Sequence, residues 1–124
     1  MNSVCRVSKE VNAENDFYLL LGDFLDEFYQ APADIKTQMI CESPQDMGKR
    51  ECVPFLASMV HKLANDHGLR PPHWVFEERC YLSGKNPYFA CNVKGKLRLL
   101  FMYKSPPEFK HRNLFVDENV LARV

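Results

Sequence analysis

The segment ENDFYLLLGDFLDEFYQ, residues 14–30, spaces Phe17, Leu20, Leu21, Phe24, Leu25 and Phe28 at i, i+3, i+4, i+7, i+8 and i+11. An α-helix gathers those positions on one broad face, whereas a strand scatters them over two. A face that wide must be buried against something, so the chain is committed to a helical core. Asn12 or Asn15 is placed to cap this helix, and Glu14 and Asp16 suit its positive end. Gly22 sits mid-helix at a cost of about 1 kcal/mol relative to Ala. Its small size suits a close helix neighbour.

Two further helical stretches follow. In APADIKTQMICESP, Pro32 takes the first helical position, Pro44 bounds the far end, and Ile35, Met39 and Ile40 turn inward. In KRECVPFLASMVHKLANDHGLRPP, the stripe is Val53, Leu56, Met59, Val60, Leu63 and Ala64. Pro54 requires either that this helix begins near Val53 or that it kinks there. Gly68 followed by Leu69 has the form of a left-handed C-terminal cap with its apolar follower, and Pro71 and Pro72 stop continuation.

The second half is less periodic. PPHWVFEERCYL predicts a short helix with Trp74 as an anchor between elements, and SGKNPYFACN is a turn-rich connector. GKLRLLFMYKS is ambiguous, since Leu97, Leu100 and Phe101 suit a helix while Leu97, Leu99, Phe101 and Tyr103 alternate as in a strand. In the closing stretch, Ser105 and Glu108 have capping-box spacing around Pro106, and NLFV reads as a brief extended link. Asp117 then caps a last short helix carrying Val120 and Leu121, with Arg123 near its negative end.

The expectation is a mainly α, single compact domain over residues 1–124, with five to seven helices, the later ones short. A minor extended element is a candidate near residues 97–103, and residues 1–12 are a candidate for disorder. At 124 residues the chain buries roughly two thirds of its unfolded surface, enough for a core without staples. That core is expected to hold Phe17, Leu21, Phe24, Phe28, Leu56, Val60, Leu63, Trp74, Phe101, Phe109 and Leu121. Cys5, Cys41, Cys52, Cys80 and Cys91 are odd in number and follow no apolar leader, which suits reduced thiols in a cytoplasm. Cys41 and Cys52 have apolar neighbours and read as small core residues. No apolar run approaches the ~20 residues of a membrane span.

Sixteen basic and sixteen acidic residues cancel, which argues against a globally basic nucleic-acid binder. The charge is nevertheless segregated. Residues 1–30 carry Glu10, Glu14, Asp16, Asp23, Asp26 and Glu27 against Arg6 and Lys9. Residues 79–112 carry Arg79, Lys85, Lys94, Lys96, Arg98, Lys104, Lys110 and Arg112 against Glu108 alone. The plain reading packs the acidic helix near the basic stretch; the sharper one gives the fold a basic face for an acidic partner or RNA.

Catalytic signatures are missing from the pattern. His61, His67, His73 and His111 accompany no CxxC or HExxH, so no metal is expected. The five glycines form no phosphate loop, so no nucleotide cofactor is expected. Cys80 or Cys91 with His73 is the weakest option, a thiol enzyme. A helix-turn-helix over the first and second helical segments is disfavoured, because the first of its helices is acidic and the second offers only Lys36. Arg112 beside Asn113 is either a fork for a ligand carboxylate or phosphate, or a lock on the last turn through Asp117 or Glu118.

Two stretches, FLASMVHKLANDHGLRPPHWV and SPPEFKHRNLFVDENVLARV, carry a resemblance. Their order of Pro-x-Trp, Ser-Pro, Phe, Arg-Asn, aromatic and Leu-x-Arg resembles the C-terminal domain of a poorly characterised bacterial group. The matching positions are Pro72, Trp74, Ser105, Pro106, Phe109, Arg112, Asn113, Phe115, Leu121 and Arg123. Members often carry an N-terminal helix-turn-helix and are encoded beside nucleotidyltransferase-like proteins in toxin–antitoxin-like arrangements. The resemblance implies a protein-binding element, and it implies no catalytic residues. The expected function is therefore a non-enzymatic, antitoxin-like accessory protein for the adjacent gene product. Tyr81, Tyr88, Phe89, Arg98, Tyr103 and Arg112 are its candidate exposed contacts. The alternative is an RNA- or nucleotide-binding module using the basic, aromatic-interleaved stretch YFACNVKGKLRLLFMYK.

Overall fold

The apolar stripe of the first periodic segment becomes α2, Phe17–Gln30, whose Leu21, Phe24, Leu25 and Phe28 are buried. A computed structural model describes residues 2–11, 17–90 and 96–122 of the chain. The expectations placed on Asn12, Glu14, Asn15, Asp16, Cys91, Lys94 and Arg123, and on the Phe101 side chain, lie outside the described residues. The protein is a single, mainly helical domain. In chain order its helices are α1 (Val4–Glu10), α2, α3 (Ala33–Cys41), α4 (Cys52–Asp66), α5 (Lys96–Lys104) and α6 (Pro107–Lys110). Two 3-10 turns, His73–Phe76 and Glu78–Cys80, follow α4, and strands β1 (Tyr88–Phe89) and β2 (Leu114–Phe115) flank α5 and α6.

α4 is the centre of the molecule. Eleven of its residues are buried, from Cys52 to Ala64, because α6 and the two 3-10 turns pack along it and its stripe joins the shared core. It starts at Cys52, so Pro54 falls in the first turn, where a missing N–H costs no intrahelical bond. Its far end closes as expected. Gly68 adopts φ +67°, and Leu69 N–H donates to the Ala64 carbonyl at 2.8 Å in a Schellman arrangement.

Several expectations are corrected. Residues 4–10 form a helix rather than a disordered lead. Ser3 caps it by accepting from Arg6 N–H, and Val4 and Val7 join the core. Ser8 fastens α1, its hydroxyl donating to the Cys5 carbonyl and accepting from Gln45 N–H at 3.0 Å. Cys41 is exposed at the end of α3, although Cys52 is buried. Phe17 only packs against the core edge. Residues 73–80 make two 3-10 turns instead of an α-helix, since Glu77 leaves helical geometry at ψ 148°. The stretch 96–104 resolves as helix, and the extended pair lies elsewhere, at Tyr88–Phe89 and Leu114–Phe115, paired in parallel. Ser105 makes no capping box: α6 begins at Pro107, and Ser105 Oγ instead donates to the Val116 carbonyl and accepts Val116 N–H, both at 2.9 Å. Residues 118–121 form a turn, not a helix, held by Asp117 accepting Asn119 N–H at 2.8 Å.

Candidate functional site

The C-terminal residues that looked like a motif form a clasp over α4. α6 has four residues and one buried side chain, Phe109, whose ring meets Phe55 of α4 edge-on at 5.2 Å. Asn113 follows with φ +63°, a left-handed conformation that asparagine tolerates better than most residues. The reversal points its Nδ2 at the Leu82 carbonyl at 2.7 Å and lets its own carbonyl accept Tyr88 N–H at 3.0 Å. The Arg-Asn pair therefore turns the chain from α6 into β2. Trp74 is a fastener as well, donating Nε1–H to the Ile40 carbonyl at 3.0 Å.

Arg112 is the largest side chain sealed in this interior, at 1% exposure. Its place among exposed contact candidates is therefore corrected. Neither Asp117 nor Glu118 receives it. Nη1 donates to the Glu108 carbonyl at 2.9 Å and Nη2 to the Val75 carbonyl at 2.8 Å. Nη1 also lies 3.2 Å from His61 Nδ1, and the guanidinium carbon stands 4.7 Å from the Tyr81 ring centre. Nε has no partner. Two carbonyls, a neutral imidazole and a ring face thus hold the cation, each supplying partial negative charge. Burial pulls the Arg112 guanidinium below its ordinary range, against the pull of Tyr81. For His61 to accept from Arg112 its proton must sit on Nε2. Burial first, then the Arg112 charge, lower its pKa.

That shift carries a pH prediction. Folded His61 binds its proton less readily than the unfolded chain does, so stability is full above the ordinary histidine pKa of about 6.5. It falls as pH drops below that value through the lowered folded pKa, because protonation charges a partly buried ring and sets it beside the Arg112 cation. Thermal unfolding midpoints should decline as pH falls below about 6.5 in the wild type. His61→Gln, whose amide oxygen still accepts from Arg112, should flatten that segment of the curve. An equal slope in both proteins removes the coupling.

The remaining candidates are brought together in pairs rather than as a pocket. The Arg98 guanidinium carbon sits 4.1 Å from the Phe89 ring centre, and the other neighbour of that ring is Phe115 at 5.0 Å. Lys110 lies over Tyr103 and donates to the Tyr103 carbonyl. Tyr88 and Tyr18 hydroxyls are 3.0 Å apart, and burial raises the Tyr18 pKa, with the Tyr88 hydrogen bond adding to it. Much of the basic, aromatic interleaving is therefore used within the fold. Phe89 in particular is covered by Arg98 and Phe115.

α5 stands apart from this pattern. Leu97 is 58% exposed, Leu99 66%, Leu100 45%, Met102 39% and Tyr103 79%. Lys96, Arg98 and Lys104 sit among them, and among the described residues only Lys104 meets a carboxylate, Glu118 at 3.9 Å on the surface. Periodicity could not foresee this, because apolar and basic residues are mixed around α5 and give it no single inward face.

Among the described residues no hydrogen bond joins Cys80 to His73. Cys80 is fully buried, its Sγ donating to the Trp74 carbonyl at 3.2 Å, and burial raises its pKa. His73 is exposed. Burial, then Glu51, pushes the Cys52 thiol up to about 11, so it too is a protonated core residue at neutral pH. Among the described residues no three His, Cys, Asp or Glu side chains gather as a metal site. No helix among them is long and apolar enough to cross a membrane.

Fold and surface together define a small helical protein with a fastened interior and one exposed, basic, apolar helix. No family model, curated protein or solved structure matches the chain.

Proposed function

We propose that this is a non-enzymatic, cytoplasmic accessory protein that docks a partner protein. It acts as the antitoxin-like member of a pair with a nucleotidyltransferase-like neighbour. The observation that carries the reading is α5, where five large apolar side chains face solvent on one nine-residue helix beside three cations. Monomeric proteins seldom leave contiguous apolar surface of this kind in water, because covering it is favourable. A short helix with apolar and aromatic projections suits the helix-in-groove mode of binding. The cations favour a groove rimmed by carboxylates and speed the encounter.

The test is co-expression with the product of the adjacent gene, followed by co-purification. Leu99→Asp combined with Tyr103→Ala should weaken the complex roughly a hundredfold or more. Both side chains are exposed, so the unfolding midpoint should stay within a few degrees of wild type. No complex with the wild type, or a complex untouched by the double substitution, defeats the reading. Steeply salt-dependent binding of single-stranded RNA, lost with the same substitutions, moves the assignment to nucleic acid.

A further inference from the structure

A second feature lies away from α5, where the loop before α4 meets the second 3-10 turn. Asp46, Gly48, Lys49, Arg50, Val53, Pro54 and Arg79 line an open cleft of about 550 Å³. Three of the seven are cations and one is a carboxylate. Main-chain carbonyls hold both guanidinium groups, and the Glu77 carboxylate also pairs with Arg79. Arg50 donates Nη1 to Asn86 at 2.7 Å and Nη2 to Pro87 at 3.4 Å, leaving Nε. Arg79 donates Nη1 to the Pro44 carbonyl and Nε to Glu77, both at 3.0 Å, leaving Nη2. Lys49 enters no ion pair within the described residues. The cleft thus holds one mobile ammonium and two oriented guanidinium groups with donors to spare, an arrangement that recognises a tetrahedral oxyanion.

The rest of the lining narrows the ligand. Inorganic phosphate alone fills a small part of 550 Å³, which lies in the range of metabolite pockets. Val53 and Pro54 are buried residues whose edges give the cleft an apolar floor. Asp46 Oδ1 accepts Gly48 N–H at 3.2 Å, which fixes the carboxylate and leaves Oδ2 for a ligand hydroxyl. We infer that this cleft binds a small, hydroxyl-bearing phosphate monoester. The phosphate lies among Lys49, Arg50 and Arg79, and a hydroxyl is read by Asp46. The site shares no residue with α5, so its success or failure is separate from that of the docking surface.

Calorimetric titration of the full chain at low salt tests it with three probes: ribose 5-phosphate, inorganic phosphate and ribose. Ribose 5-phosphate should bind saturably, with inorganic phosphate at least about fivefold weaker and ribose not detected. Lys49→Gln and Arg50→Gln should each weaken the ester roughly tenfold, and Asp46→Asn should weaken the ester while leaving inorganic phosphate unchanged or tighter. Lys49 is exposed and enters no ion pair among the described residues, so Lys49→Gln keeps the unfolding midpoint and reads the site without a folding effect. The assignment is overturned by no saturable binding of the ester, by equal binding of inorganic phosphate, or by ester binding indifferent to Lys49→Gln.

Discussion

Replacing Arg112 with Ala lowers the stability of the fold by about 3–5 kcal/mol and the unfolding midpoint by on the order of 10–20 °C. The Val75 and Glu108 carbonyls lose their donors, and a void opens beside Tyr81. An opposing effect must be weighed. Burying a guanidinium is itself costly, and here no carboxylate bonds to it directly, Glu108 acting only through its nearby charge; one nitrogen, Nε, has no hydrogen-bond partner. Removing the charge therefore returns part of what is lost. Arg112→Met separates the two contributions, since it keeps most of the volume and discards the charge. It should cost about 1–3 kcal/mol, the share due to orphaned carbonyls. Arg112→Lys should be no better than Met, because one ammonium cannot span two carbonyls and a ring in the geometry of the planar fork. Denaturant melts of the three variants decide the matter. An Ala variant as stable as wild type would return Arg112 to the surface and to docking.

Arg112 also marks where reading the sequence stops short. A lone arginine beside an asparagine belongs outside by composition, because arginine is seldom buried without a partner. Its acceptors here are carbonyls, and carbonyls of Val75 and Glu108 converge only after the fold has formed. No residue type announces them. By contrast, α2 and α4 were legible because their signals are local. Leu21, Phe24 and Phe28 repeat at helical spacing, and Gly68 supplies the positive φ that a helix end needs. α1 carried a weaker form of the same signal, Ser3 ahead of Val4 and Val7, but seven residues hold too few turns for periodicity to register. Ser105 misled for a different reason. Its spacing to Glu108 is that of a capping box, yet two buried main-chain groups of Val116 claim the hydroxyl instead. Tertiary demand overrode local chemistry at that position.

The two surface features divide in the same way. Arg98 and Tyr103 of α5 were expected at the surface and are exposed, but the exposure of Leu97, Leu99 and Leu100 was not foreseen, since the strand and helix readings of that stretch both assigned it an inward face. Lys49, Arg50 and Arg79 were missed as a group because Arg79 lies far along the chain from the other two. The second 3-10 turn, packed on α4, brings it to the cleft. The fold that seals Arg112 also leaves these cations outside.

Phe109→Ala should cost about 3–5 kcal/mol, and its effect should overlap with that of Arg112→Ala rather than add to it. α6 has four residues, too few to hold a helix on its own, so its place on α4 depends on the one ring it buries. That ring touches Phe55, which in turn meets Phe17 at 5.7 Å and Tyr18 at 5.8 Å, tying the C-terminal clasp to α2 through aromatic edges. Deleting the Phe109 ring breaks the chain of contacts at its outer end. Residues 105–116 should then lose amide-exchange protection before α2 and α4 do, as a locally opening unit. Arg112 belongs to that unit and the Val75 carbonyl does not, so opening has already separated Arg112 from one acceptor when its own substitution is made. The double variant should therefore be less destabilised than the sum of the singles by about 1–2 kcal/mol. Phe109→Leu, which keeps most of the volume, should lose only about 1–1.5 kcal/mol and retain the protection. Additive single effects, or uniform loss of exchange protection across the chain, would mean that Phe109 is an ordinary core residue and that α6 and Arg112 are fastened independently.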